Sequence, residues 1–404
     1  MCLDSLIHYN NYDRFQRYEE GIKHYNLGLD EIRESKNKNK NLEAIILNNL
    51  GDSYLEIGKI SIGKANINAG KKIRQDILND LRAKKELNKI ESAETNIGSA
   101  HVILGKASRY SNDLNQAVFE YSRAISIFDQ YRDQSAKANV LLERGETYRR
   151  IARQNFESDL FDNVKINEKN AETDIKIAFD LCQQYGLLNF LDTAHRRRGR
   201  LFHDQGLRVI GTSKKLEYYD KALTEFENAL EISISTRDVR EELESLKEIA
   251  FLADDHAEVV TDREKNKAKI QKELKRLEKY IELFENGLKR HKRDLHRLYN
   301  YDVYAALLRL EKAAFSYASG RKETSLNLYI QAYVGLAKSP GYGVANYLIY
   351  LPHLFNNIRR LNNPTLEKNW CNKIKKVWEK EKLHQTRDEM VAKIEEHLLG
   401  LGER

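Results

Sequence analysis

The amino-acid sequence predicts an all-α fold, a solenoid of helical hairpins. The first observation is a recurring trio: a small residue, a large apolar residue four positions later, and a second small residue three positions beyond. Positions i, i+4 and i+7 share one face of an α-helix, so each trio places a bulky side chain between two small ones. Repetition of such closely packing faces indicates stacked hairpins. The trios are Gly21/Tyr25/Gly28, Gly63/Ile67/Gly70, Ala117/Tyr121/Ala124, Ala171/Ile175/Ala178, Ala222/Phe226/Ala229 and Ser325/Tyr329/Ala332.

The positions of proline and the lack of strand patterns are the other two observations. Pro340, Pro352 and Pro364 are the three prolines, so nothing before residue 340 forbids long helices. Alternating apolar and polar runs bounded by Asn-Gly or Asp-Gly turns are missing, and we therefore expect essentially no sheet. With 32% charged and 41% hydrophobic residues, the 404-residue chain has the balance of a thin, elongated array.

Composition also indicates the cellular compartment of the protein and the kinds of site that it lacks. Cys2, Cys182 and Cys371 are too few and too scattered for a disulfide framework or a Cys-x-x-Cys zinc site. No stretch of about 18 apolar residues occurs, and the first twelve residues do not resemble a signal peptide. These features predict a cytoplasmic protein without a membrane partner, cofactor or metal.

The chain opens with a short segment, Met1–Tyr12, before the helix that carries the first trio. This segment is too short to supply a full partner helix. It indicates either an incomplete first hairpin, as in the C-terminal part of a longer protein whose N-terminal effector domain has been removed, or an ordinary short capping helix.

The clearest unit covers residues 42–80. One face of its first helix carries Leu47, Leu50, Gly51 and Tyr54. Gly58 follows where that helix should end in a left-handed cap, and the second helix carries the trio Gly63/Ile67/Gly70. This order resembles the tetratricopeptide repeat, a hairpin of about 34 residues. The resemblance implies a right-handed superhelical solenoid.

The same order recurs in three further units with longer hairpins. The matching first-helix residues are Ile97, Gly98, His101 and Gly105, then Leu141, Gly145, Tyr148 and Ala152, then Gly199, Phe202 and Gly206. Gly51 and Gly63 are 12 residues apart, whereas the equivalent spacings in the later units are 19, 26 and 23. The added stretches, such as 155–170 and 207–220, contain apolar residues. We therefore expect them to lengthen both helices of each hairpin, which predicts a broader, flatter solenoid.

The repeat pattern loosens over residues 240–300 and changes after residue 340. Residues 265–290 predict one long amphipathic helix with a stripe of Ile270, Leu274, Leu277, Ile281, Phe284 and Leu288. Residues 304–318, closed by Gly320, and 325–336 predict one more hairpin. We divide the chain into a repeat array, residues 1–340, and a C-terminal helical capping region, residues 341–404, whose last predicted helices, 364–382 and 386–399, are charged on one side.

A search for catalytic and metal-binding patterns finds none. There is no GxxxxGK[ST] loop, GxGxxG, HExxH or GxSxG. His195/His203 lie eight residues apart, near 12 Å along a helix, which is too far for two ligands of one metal. The sequence therefore favours a protein that is not an enzyme.

The resemblance to the tetratricopeptide family also implies a binding groove, because residues of each first helix that face away from the second helix line the concave side. Counted from the Gly of each unit, the groove residues are Asn48, Asp52, Thr95, Ser99, Leu142, Glu146, Arg149, Arg196, Arg200 and His203. This polar groove with a basic end is typical of a site for an acidic peptide, since an Arg side chain can grip two carboxylate oxygens. The alternative is an exposed face neutralised by carboxylates of a neighbouring unit.

One expected specificity is absent. The family's clamp for chaperone tails needs Lys and Asn at the positions held here by Asn48 and Asp52, so chaperone tails are not the expected partner.

Two functions remain from the sequence. The first is a protein–protein interaction scaffold or sensor arm within a larger bacterial-type signalling or defence protein, with self-association or assembly into a larger complex as a further option. The second is nucleic-acid binding through residues 265–300, which hold twelve Lys and Arg against five Asp and Glu, with tyrosines following. Its candidate residues are Lys289, Arg290, Lys292, Arg293 and Arg297, which could instead complement a helix dipole.

Overall fold

A computed structural model shows a succession of α-helices. The residues it describes are 18–35, 39–263, 267–292, 301–321, 324–325, 327–329, 331–332, 335, 364–380, 391–392, 394–395 and 397–399. These residues contain no strand, so the predicted all-α fold is confirmed.

The helices predicted over residues 265–290 and 304–318 begin and end close to those limits. In chain order, the described helices are α1 (Tyr18–Glu34), α2 (Lys40–Glu56), α3 (Ile60–Ala83), α4 (Leu87–Tyr110), α5 (Leu114–Gln130), α6 (Gln134–Glu157), α7 (Phe161–Tyr185), α8 (Leu188–Arg208), α9 (Thr212–Thr236), α10 (Val239–Arg263), α11 (Lys267–Arg290), α12 (Tyr301–Ala318) and α13 (Pro364–Lys380). The stretch 155–170 is helical on both sides of a short turn, which confirms that the added residues lengthen the helices.

The described residues group into two compact units. Unit 1 contains those up to Arg208 together with Asn228–Arg237, and unit 2 contains Val209–Glu227 and those from Asp238 onward. The predicted division at residue 340 falls outside the described residues and stays a prediction, as do the structures of Met1–Tyr12 and of residues 341–363.

Unit 1 is a solenoid in which each helix from α1 to α8 packs against the next one. The helices α2, α4, α6 and α8 are the first helices of successive hairpins. Within the described part of the chain, α2 also packs against α4 and α6 against α8, whereas the second helices α3, α5 and α7 have no comparable packing among themselves. The first helices therefore lie closer together than the second helices do.

The predicted trios form the contacts inside each hairpin. The large central residues Ile67, Tyr121 and Ile175 are each at most 1% exposed. A Cβ added at Gly63 would lie 2.8 Å from the carbonyl oxygen of Gly51, so only glycine allows α2 and α3 to approach this closely.

Seven of the described turns between helices place one residue in the left-handed region of backbone conformation. Gly58 has φ +79°, which confirms the predicted left-handed cap. Five other turns place a non-glycine residue in the same region: Lys85, Asn112, Arg132, Asp159 and Arg237, with φ between +56° and +59°. Asp113 and Asp133 follow two of these turns and cap the next helix, because their carboxylates accept the backbone N–H three residues later.

Unit 2 contains the helices of the section in which the repeat pattern loosens. Helices α10, α11 and α12 pack against one another. The predicted stripe of α11 is buried from Leu274 to Leu288, while Ile270 at its start is half-buried. Tyr304 of α12 is 2% exposed and donates its hydroxyl to Glu244 of α10 at 2.9 Å. Gly320, with φ +79°, ends α12 as predicted.

The left-handed turns give a test of local stability. Arg132→Gly should raise the free energy of unfolding by about 0.5–1 kcal/mol, because glycine adopts positive φ without the steric cost that other residues carry. The Arg132 side chain is exposed and makes no ion pair among the described residues, so little else is lost. Urea unfolding followed by circular dichroism measures the change. Gly58→Ala is the matched control and should lose about 1 kcal/mol; a loss in the Arg132→Gly protein would contradict this account.

Candidate interaction surface on the first helices

The first helices of unit 1 are joined to one another by charged side chains. We call this set the ion-pair ladder. Its members are Asp52, Glu56, Lys106, Arg109, Glu143, Glu146, Arg149, Arg197 and Asp204. The ladder runs over the side of the hairpins on which the first helices approach most closely.

The contact between α2 and α4 centres on Lys106. Its Nζ lies 2.7 Å from an Asp52 oxygen and 2.5 Å from a Glu56 oxygen. Burial opposes the positive charge, but the two carboxylates outweigh it and hold the pKa of Lys106 well above its ordinary value. Tyr110 donates its hydroxyl to Glu56 at 3.2 Å. The four side chains therefore fix the spacing of the first two hairpins.

Glu143 of α6 joins three first helices. One carboxylate oxygen lies 2.5 Å from Nη1 of Arg109 on α4, and the other lies 3.1 Å from Nη2 of Arg197 on α8. Burial alone would raise the pKa of Glu143, but the two guanidinium groups lower it to about 2. Glu143 is therefore ionised throughout the physiological range.

Glu146 is the most deeply buried carboxylate of the ladder, at 1% exposure. Arg149 donates to it through Nε at 2.8 Å and Nη2 at 2.9 Å, and Arg150 donates through Nε at 3.2 Å. Arg197 approaches from α8 at 3.3 Å. Burial opposes ionisation, but these arginines hold the pKa of Glu146 well below its usual range.

The ladder ends on α8 at Asp204. Arg149 pairs with this carboxylate as well as with Glu146, so one guanidinium group joins α6 to α8. Arg208 lies 3.7 Å from Asp204 and also pairs with Glu168 of α7. Every charge at this end of the ladder is therefore shared between neighbouring helices.

The structure places some predicted groove residues in the ladder and buries others. Asp52, Glu146 and Arg149 are members. Asn48 is 3% exposed. Its Oδ1 packs against Gly70 of α3, since a Cβ atom added to this glycine would lie only 2.8 Å from it.

The remaining predicted groove residues differ in exposure. Arg196 is 6% exposed and donates to Thr193 at 3.3 Å, and Leu142 is fully buried. Arg200 and His203 are half-buried, and both make contacts within the chain. The hydroxyls of Thr95 and Ser99 donate to backbone carbonyls of their own helix.

Sequence reasoning missed several members of this surface, namely Glu56, Lys106, Arg109, Glu143, Arg197 and Asp204. Arg109 lies on the last turn of α4 and Lys106 just before it, beyond the positions counted from Gly98. Opposite charges three and four residues apart on α6, where Glu146 precedes Arg149 and Arg150, signal pairs within that helix and not the missed members.

The basic segment proposed for nucleic acid is partly neutralised. Arg290 lies 2.7 Å from Glu242, Lys289 lies 3.3 Å from Glu285, and the Lys292 ammonium lies 5.6 Å from the Tyr301 ring centre. Arg293 and Arg297 lie outside the described residues. The exposed face of α11 also carries Lys272 and Lys275, which make no ion pair within the described part of the chain.

Unit 2 holds one unusual carboxyl group. Glu311 of α12 is 5% exposed, and its Oε2 has no hydrogen-bond partner among the described residues. Burial, together with the negative charges of Asp254 and Asp255 on α10, raises its pKa well above the ordinary value. The arrangement favours the protonated acid.

Other kinds of site receive no support from the described residues. They contain no group of three His, Cys, Asp or Glu side chains placed to hold a metal ion. None of their helices combines the length and the apolar composition that a membrane crossing requires.

Removal of a ladder carboxylate should be costly. Glu146→Gln leaves three arginines beside a neutral group, and we expect it to lower the free energy of unfolding by about 3 kcal/mol or more. Glu157→Gln removes a carboxylate that pairs with Arg153 on the exposed end of the same helix, and it should change stability by less than about 0.5 kcal/mol. Urea unfolding at pH 7 compares the two variants; equal losses would show that the ladder does not stabilise unit 1.

Comparison with known proteins gives no family for the chain. No protein-family model matches it, and no curated protein sequence does. Among solved structures, it is similar to a circular tandem repeat protein with 12% identity and a TM-score of 0.31, over 95% of this chain and 90% of that one. It is also similar to yeast Tom70, with 11% identity and a TM-score of 0.22, over 98% and 96%. Scores this low have no bearing on function.

Proposed function

We propose that the protein is a non-catalytic interaction scaffold that binds an acidic segment of a partner protein along the first helices of unit 1. The observation that carries this proposal is an excess of basic side chains on the last two first helices of unit 1, α6 and α8, relative to the second helix α7 between them. Helices α6 and α8 together hold ten Lys and Arg against five Asp and Glu, whereas the second helix α7 holds three against five. A basic first-helix side attracts acidic segments and disfavours basic ones.

The arginines of this surface are suited to protein recognition. A guanidinium group presents a planar set of donors that matches a carboxylate, and it stays charged when partly buried. The ion-pair ladder holds several of these side chains in fixed positions, so a partner would not need to order them. An extended surface of this kind fits a sensor or partner-binding arm of a larger cytoplasmic signalling or defence protein.

A charge reversal on α8 tests the proposal. The probe is a fluorescein-labelled hexaglutamate peptide, and its hexalysine counterpart serves as the opposite-charge control. We expect hexaglutamate to bind to the wild type, and its affinity to fall as salt is raised, because salt screens the attraction. Arg200→Glu should weaken binding about tenfold or more, as measured by fluorescence anisotropy.

The matched control lies on the second helix. Lys169→Glu makes the same change of charge at an exposed position of α7 and should weaken binding much less. Circular dichroism verifies that both variants are folded. Equal effects of the two variants, or equal binding of hexalysine and hexaglutamate, would remove the support for this surface.

Nucleic-acid binding through α11 is the second candidate, and the exposed Lys272 and Lys275 favour it. A labelled single-stranded oligonucleotide should bind with an affinity that falls steeply with salt, because phosphate contacts release counterions. Lys272→Glu combined with Lys275→Glu should then abolish most of the binding and leave hexaglutamate binding unchanged. An affinity that is independent of salt would exclude this candidate.

A further inference from the structure

Arg150 lies at a point of unit 1 where cations outnumber carboxylates. Its Nε donates to Glu146 at 3.2 Å, but the same carboxylate also pairs with Arg149 and Arg197. Burial, together with the nearby positive charges of Arg109, Arg149 and Arg197, lowers the pKa of Arg150 to about 10. The side chain keeps 28% of its surface exposed, so this under-neutralised cation is accessible from solvent.

Buried donors on residues that interact electrostatically with Arg150 also lack acceptors. The hydroxyl of Tyr121 has no hydrogen-bond partner among the described residues, although the residue is 0% exposed. Burial raises the pKa of Tyr121 to about 12, and the charges of Arg109, Glu143 and Arg150 all act on the hydroxyl. Nε of Arg109 is likewise buried without an acceptor. Such unfilled donors are rare in native proteins and call for an explanation.

These groups share one chemical preference. Guanidinium N–H groups and a phenol hydroxyl donate hydrogen bonds, and all gain most from an oxyanion. Arg109 and Arg150 stand on the C-terminal parts of α4 and α6. The groove positions implied by the repeat resemblance do not include them.

We propose that Arg150, backed by Arg109 and Tyr121, forms an anion site that receives a carboxylate side chain of the acidic partner segment. This inference rests on the proposed function, because it names the residue that selects the charge of the segment. Arg150 is the accessible member, and it would bind the carboxylate through the guanidinium nitrogens that do not contact Glu146. Arg109 and Tyr121 are positioning residues: the positive charge of Arg109 acts on Arg150, and both residues carry buried donors without acceptors.

A binding role and a structural role for Arg150 predict opposite effects on stability. If Arg150 is removed, Glu146 still has Arg149 and Arg197, and the repulsion among the buried arginines falls. A residue that serves binding at a cost in stability should therefore leave the fold equally or more stable when it is neutralised. If Arg150 instead serves the fold, its neutralisation should destabilise the protein.

The experiment compares Arg150→Gln with Arg153→Gln, which neutralises an arginine one turn away on α6 that pairs with Glu157. Hexaglutamate binding is measured by fluorescence anisotropy, and stability by the urea midpoint. We expect Arg150→Gln to weaken binding about tenfold or more, with a midpoint equal to or above that of the wild type, and Arg153→Gln to weaken it less than about threefold. Unchanged binding in the Arg150→Gln protein, or a midpoint lowered as in Glu146→Gln, would overturn the proposal.

Further comparisons between variants distinguish the proposed anion site from the interaction surface that contains it. If Arg200→Glu weakens hexaglutamate binding and Arg150→Gln does not, the anion site is wrong and the interaction surface stands. If both Arg200→Glu and Arg150→Gln bind hexaglutamate as the wild type does, both proposals fail. Inorganic phosphate is the competing oxyanion: a rise in thermal stability with phosphate that Arg150→Gln abolishes, without any hexaglutamate binding, would overturn the assignment to a carboxylate.

Discussion

The close approach of the two helices within each hairpin is the constraint on which the structure of unit 1 depends. At Gly51 and Gly63 the backbones of α2 and α3 nearly touch, and a methyl group on Gly63 would collide with a carbonyl oxygen. Elsewhere a large residue such as Tyr121 fills the space that Gly105 leaves open on the facing helix. Because these contacts fix each hairpin as a rigid body, charged side chains of limited reach can join one hairpin to the next.

The ion-pair ladder shows why the number of basic residues on a surface is larger than the number available to bind a partner. Its three arginines and its one lysine all pair with carboxylates, and breaking one such pair would leave a buried charge without compensation. Arg150 lies beside the ladder and shares Glu146 with Arg149 and Arg197, so it is the cation left for a partner. The stability of the stacked hairpins therefore depends on the ladder residues, whereas the recognition of an acidic segment depends on Arg150.

Features set by local spacing could be predicted from the sequence, and features set by the register between hairpins could not. The trios, the left-handed cap at Gly58 and the apolar stripe of α11 each follow from neighbours within two or three helical turns. The ladder depends on how far α4, α6 and α8 extend, which changes the side chains that face one another. Asn48 is buried against Gly70 of its own hairpin and Arg196 is buried on α8, although the repeat resemblance implied the groove for both. The turn at Arg132 was missed because no glycine marks it.

The left-handed turns also bear on how an array of this kind changes its length. The turn inside a hairpin, as at Asn112, and the turn between hairpins, as at Arg132, have nearly the same φ, and each spans three residues between helices. A pair of helices inserted or deleted at such turns would meet a compatible backbone connection at both ends. Duplication and loss of whole hairpins are therefore open to this sequence without the evolution of any new loop.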